Sequence, residues 1–114
     1  MQKHIRVTRE TGVCSVRAGG AVIADSENAL ELNEGDYDPV IYFPREDVAM
    51  ALLEKTDQKT KCDHKGEAVY FSIVTKSQVI ENAAWTYQAP RPELKNIANH
   101  MAFYRDELVV IEEI

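Results

Sequence analysis

Cys62-Asp63-His64-Lys65-Gly66-Glu67-Ala68-Val69-Tyr70-Phe71-Ser72-Ile73-Val74 is the stretch on which the fold turns. Residues 67–74 are rich in β-branched and aromatic types, which suit the pleated surface of a sheet. Successive side chains of a strand point to opposite faces, so Tyr70 faces away from Val69, Phe71 and Ile73. The residues before it, 62–66, form a turn that ends in glycine. Downstream, residues 83–87 read as a second strand, closed by Pro90 and Pro92. Trp85 and Tyr87 then share one face, with Thr86 on the other.

Further outward the same strand-dominated pattern continues. Gly19-Gly20 lies between two alternating runs, and both turn positions of a tight hairpin accept positive φ at glycine. With that turn, Ala18 pairs with Ala21, Val16 with Ile23 and Cys14 with Asp25. Ile5 and Val7 alternate with polar residues, as do Leu30 and Leu32, and residues 40–43 are a short apolar strand. Pro44 suits the first turn of a helix, Glu46 and Asp47 suit its positive end, and Val48, Ala51 and Leu52 have helical spacing. That predicts a helix over 45–54, followed by a polar connector at 56–61. Leu94, Ile97, Ala98 and Met101 predict a second short helix over 92–99. Residues 101–104 and 108–111 read as a closing hairpin. The expected fold is mainly β: tent-like or barrel-like antiparallel sheets of eight or nine short strands, with two short helices.

The 114 residues suit one domain spanning 1–114, with one core. Lys and Arg number 13 against 19 Asp and Glu, a net charge of −6 that opposes a sequence-independent grip on nucleic acid. No apolar run approaches the ~18–20 residues that span a bilayer. The basic N-terminal residues, His4 among them, have no apolar run behind them, as a secretory signal would. The expected compartment is the cytoplasm. Cys14 and Cys62 are read as reduced thiols, since a chain of this length needs no staple.

Four segments together resemble a known family. Tyr42-Phe43-Pro44-Arg45-Glu46-Asp47-Val48 is similar to its first signature. Cys62, followed by His64-Lys65-Gly66-Glu67-Ala68 and Tyr70-Phe71, is similar to its second, with Asp63 where the family usually has proline. Ala83-Ala84-Trp85-Thr86-Tyr87 and Ala102-Phe103-Tyr104 complete the match. The chain resembles the domain of unknown function 427 family, which also carries a nucleotidyltransferase-type label. The resemblance implies a β-rich, Mss4-like tent fold and no established activity. The sequence contains no Gly-Ser motif followed by paired aspartates and no phosphate-binding loop of the Gly-x4-Gly-Lys type.

The chemistry-bearing residues cluster around the second signature. A thiolate is the reactive form of cysteine and nearby cations stabilise it, so Cys62 with Lys65 is the candidate catalytic pair. Its rival is a half-buried structural thiol. Gly66 permits close approach of a ligand. Trp85 and Tyr87 could floor a pocket for a flat ligand, or simply fill the core, and the Tyr70 hydroxyl could border a polar cavity, or be satisfied within the core. Arg45 at a helix start could hold an anion, or pair with Asp47 to fix the helix to the sheet. His100 could complement a helix C-terminus, and Cys14 on an apolar face reads as core. Only Cys62 and His64 have the close spacing of zinc ligands, so no metal or other cofactor is expected. The acids at 25–38 lack the order of an EF-hand loop and read as a solvated edge. The leading expectation is a domain that binds an unidentified small molecule around Cys62, Lys65 and Trp85, with or without catalysis. The alternatives are a non-catalytic interaction module, with a peptide or a second copy as partner, and a nucleotidyltransferase.

Overall fold

The structure, a computed structural model, describes residues 5–113. His4 lies outside them. Ten strands run in the order β1 (Ile5–Arg9), β2 (Cys14–Ala18), β3 (Ala21–Ser26), β4 (Leu30–Glu34), β5 (Val40–Tyr42), β6 (Leu53–Cys62), β7 (Gly66–Val74), β8 (Val79–Tyr87), β9 (Met101–Phe103) and β10 (Val109–Glu113). They form three antiparallel sheets ordered β1-β4-β5, β10-β2-β3 and β6-β7-β8-β9. The mainly β, antiparallel expectation therefore holds, but the sheets are open and no closed barrel forms among the described residues. No helix among these residues is long and apolar enough to cross a membrane.

The strand β7 is the axis of the packing. Its residues from Ala68 to Ile73 are all buried, because both faces of the strand are covered. Val69, Phe71 and Ile73 enter one apolar cluster with Val16, Ile23 and Phe43. Ala68 and Tyr70 enter a second with Leu32, Tyr42 and Tyr87. The period-2 reading of Tyr70 against its neighbours is thus the division between two cores. Between the sheets, Phe43 and Met101 exchange backbone hydrogen bonds of 2.8 Å, which ties the end of β5 to β9.

The expected helix over 45–54 does not form. Only two 3-10 turns occur, Arg45–Asp47 and Met50–Leu52. Val48 between them is extended and bridges Ala24, and the Ala49 N–H donates to the Ile23 carbonyl at 2.8 Å. β3 therefore takes the backbone bonding that a helix would need, and tertiary pairing overrides the local pattern. The Asp47 carboxylate accepts from the Ser26 hydroxyl at 2.7 Å rather than pairing with Arg45. The second expected helix is a kinked 3-10 segment, Pro92–Ile97, which buries Leu94 and Ile97. Their spacing of three is a full 3-10 turn, so the apolar face was legible but not the pitch.

The 56–61 connector is instead the middle of β6, a ten-residue edge strand with most of its residues exposed. Its register to β7 shifts between Lys55 and Lys59. Lysines on an exposed edge deter pairing with another chain, and they also erase the apolar alternation that would announce a strand. In the Gly19-Gly20 hairpin, Ala18 pairs with Ala21 as expected. A bulge after Arg17 then moves Val16 opposite Ala24 and Cys14 opposite Ser26. The expected closing hairpin is absent: β9 pairs with β8, and β10 crosses to β2.

Candidate functional site

The face of β7 and β8 that carries the second cluster surrounds a hollow. Tyr70 lies opposite Trp85, and Ala68 opposite Tyr87, in the β7–β8 register. Cross-strand partners share a face, so all three rings emerge on one side. Tyr42 arrives from β5 and Tyr104 from the residue after β9, and Tyr37 comes from the β4–β5 turn. The hollow among them has a volume of about 240 Å³. It adjoins a wider cleft of about 800 Å³ that shares Asp38, Val40, Trp85 and Tyr104 with it.

The rings form a connected series. Tyr87 and Tyr42 have centroids 6.5 Å apart, Tyr42 meets Trp85 edge-on at 6.5 Å, and Trp85 lies 4.4 Å from Tyr104. Tyr104 stacks on Tyr70 at 6.5 Å with 12° between planes. These are the offset and edge-to-face spacings that the ring quadrupole favours. The Tyr70 hydroxyl lies 3.0 Å from Thr60 Oγ1 and 3.4 Å from the Tyr104 hydroxyl. Burial pushes the Tyr42 phenol up to about 12; the charges of Cys62 and Glu34 add to the rise, and a hydrogen bond with Trp85 opposes it. Burial raises Tyr87 as well, reinforced by Tyr42 and Cys62. The Tyr104 phenol is pushed up to about 12 by desolvation first and by its hydrogen bond with Tyr70 second. All three rings are neutral at physiological pH.

Charge enters the hollow as an ion pair. Lys65 Nζ lies 2.6 Å from Glu34 Oε1, with the two side chains only 15% and 10% exposed. The same ammonium is 3.9 Å from Cys62 Sγ. The tight turn that sets this geometry is closed by the Lys65 N–H to the Cys62 carbonyl, and the Lys65 carbonyl accepts from the Arg91 N–H at 2.9 Å. Gly66 has φ of +117°, and a Cβ there would sit 3.3 Å from the Ala89 carbonyl oxygen. Its lack of a side chain lets the backbone at 89–91 close over the turn.

Of the residues singled out from sequence, Lys65, Tyr70, Trp85 and Tyr87 line the hollow together. Cys62 is half-buried behind Lys65 and is not among its lining residues. Gly66 packs against the segment 89–91 instead. Arg45 lies on the opposite face of β7, its guanidinium 5.8 Å from the Phe71 ring centroid. His100 follows a 3-10 turn, with Nδ1 3.0 Å from the Ala98 carbonyl oxygen. Cys14 is fully buried, and burial followed by the acids Glu10, Glu113 and Glu31 raises its thiol pKa.

Sequence reasoning missed Glu34, Asp38, Tyr42 and Tyr104. Tyr42 and Tyr104 stood within the quoted signatures, but nothing local places them beside Trp85. It also missed the meeting of Glu10, Glu31 and Glu113, whose carboxylate oxygens lie within 4.8 Å of one another. Oxygen ligands of this kind suit hard cations, and among the described residues this is the one such group of His, Cys, Asp or Glu. Glu10 and Glu31 share a hydrogen bond there, which implies that they share a proton.

The chain matches the family model described as Domain of unknown function (DUF427) over residues 6–113. No curated protein matches it.

Proposed function

Because the chain belongs to the DUF427 family, whose description assigns no activity, we propose a function from the site itself: binding of a small organic molecule in the hollow beside Lys65 and Trp85. One observation carries this reading. The protein has five tyrosines and one tryptophan, and every one of them lines the hollow. All three phenylalanines, Phe43, Phe71 and Phe103, lie in the other cluster. Rings that pair an apolar body with a polar tip are what a site needs for burying a ligand while fixing its orientation.

The single tryptophan makes the test direct. A library of small polar and aromatic compounds is titrated against Trp85 emission, with ligand-observed NMR as a second readout. Saturable binders that shift the emission and lose affinity in Tyr104→Leu are expected. Tyr104 is 47% exposed, so that variant keeps its fold. Binders insensitive to Tyr104→Leu, or none at all, would remove the reading.

The 3.9 Å approach of Lys65 Nζ to Cys62 Sγ favours a second reading, in which the thiol takes part in turnover. It demands that Cys62 label rapidly with a thiol probe at neutral pH and that Lys65→Met slow the reaction. Equal rates in both proteins would sink it. Nucleotidyl transfer, implied by the family label, suits the hollow poorly. Glu34 neutralises Lys65 and Asp38 adds a further negative charge, so phosphates meet like charge.

A further inference from the structure

The next question is the charge of the ligand, and the answer rests on the hollow being a binding site. Among the described residues, four acids, Glu31, Glu34, Asp38 and Glu113, line the hollow and its adjoining cleft, against two bases, Lys65 and Arg105. Each base stands beside an acid, Lys65 closely and in a buried setting, Arg105 loosely and exposed. Lys65 is held by Glu34 at 2.6 Å, and Arg105 lies 3.9 Å from Glu113. Asp38 borders both spaces, and among the described residues no cation lies within ion-pair distance of it. Among the described residues, an anion entering here meets only bases that already stand beside an acid, whereas a cation meets the Asp38 carboxylate at the rim.

The walls point the same way. A ring face is the negative end of the aromatic quadrupole and attracts a cation within ~6 Å of the centroid. Here Tyr87, Tyr42, Trp85, Tyr104 and Tyr70 pack on one another at 4.4 to 6.5 Å between centroids and all border the hollow, so a cation within the hollow, rather than between the rings, meets several of them. A compact alkylated ammonium loses little hydration on entering such a site. A strongly hydrated primary ammonium loses more and is the weaker fit.

We infer that the hollow binds an organic cation, a quaternary or otherwise alkylated ammonium group held among the tyrosine and tryptophan rings with Asp38 as its counter-charge. Choline, its uncharged carbon isostere (a quaternary carbon in place of nitrogen) and the anion pivalate have similar hydrocarbon bulk and isolate the charge. Each is titrated against the intact protein by Trp85 emission and ligand-observed NMR. Choline is expected to bind at least about ten-fold more tightly than the isostere, and pivalate more weakly still. Asp38→Asn should cost choline several-fold and leave the isostere unchanged, while Tyr104→Leu should weaken choline several-fold. Both positions are exposed, so the variants keep the fold. A peptide carrying trimethyllysine runs alongside; saturable binding of choline or of the peptide, lost in Tyr104→Leu, supports the ammonium chemistry, and the tighter of the two identifies its source. Preference for the isostere or for pivalate would overturn the inference and leave the hollow a binding site. So would failure of both ammonium probes while other library compounds bind. Failure of every compound would overturn both readings.

Discussion

The two faces of β7 solve one packing problem in different ways. On one face Phe71 joins Phe43 and Phe103 in a core that also holds Val16, Ile23 and Ile73, all of them buried. On the other face Tyr70 joins Tyr42 and Tyr87 in a cluster that opens into a hollow. The difference is one hydroxyl per ring. Phenylalanine has nothing to satisfy and can be enclosed. A buried tyrosine must find a partner for its hydroxyl, so it belongs where polar groups or a ligand can reach it. The chain divides its aromatic residues accordingly, with the enclosed core on one side of the strand and the hollow proposed as a binding site on the other.

Removing one ring from each side should have the largest effect. Phe43→Ala should destabilise the protein by about 3–5 kcal/mol, since its ring is fully enclosed. Tyr104→Leu should cost under about 1 kcal/mol. Urea denaturation measures both, and equal losses would erase the distinction. The next effect belongs to the ion pair. Lys65→Met leaves the Glu34 carboxylate without its partner where it is 10% exposed, a loss of about 3 kcal/mol, and adding Glu34→Gln should return much of it. A single variant as stable as wild type would mean that the pair is solvated. A smaller effect sharpens the picture of the hollow's hydroxyls. Tyr70→Phe removes the contacts to Thr60 and Tyr104, at about 1 kcal/mol. The Tyr104 phenol should then ionise at lower pH, because desolvation remains but the Tyr70 hydrogen bond that raises it is gone. Ultraviolet titration of tyrosinate reads this directly.

How far these two faces could be read in advance depended on how local their causes are. β7 was legible because its composition and its alternation agree, and so was the turn at Gly19-Gly20, where both residues take positive φ. Lys65, Tyr70, Trp85 and Tyr87 could be grouped because they stand in two of the quoted signatures; the β7–β8 register sets the three rings on one face, and Lys65 lies in the turn just before β7. Glu34, Tyr42 and Tyr104 could not, since they come from other strands and strand order is not written in any one segment. The helix at 45–54 failed for a related reason. Its apolar spacing was genuine, but the backbone of β3 offered Val48 and Ala49 better partners. β6 was hidden by its place at a sheet edge, where charge replaces alternation.

The weakest effect tests the junction of the other two sheets, where Glu10 meets Glu31 and Glu113 beside the wider cleft. The Glu10 carboxyl is pushed up to about 7, first by its hydrogen bond with Glu31, then by burial and by the charges of Glu113 and Glu31. Glu31 moves down, because hydrogen bonds from Asn33 and from Glu10 favour its ionised form. A carboxyl whose pKa is raised on folding binds its proton more tightly in the native state than in the unfolded one. Its contribution is therefore fully present below the unfolded value of about 4.5 and is lost as pH rises toward about 7. Wild type should lose stability across that window, and Glu10→Gln, which keeps a donor for Glu31 without the charge, should lose less. The carboxyls are only partly buried, so solvent screening keeps the difference small. Melting temperatures of the two proteins should converge at the acidic end and separate toward neutrality, with the variant higher. Parallel curves would show that the three carboxylates are each solvated and that the cleft's acidic rim carries its full charge.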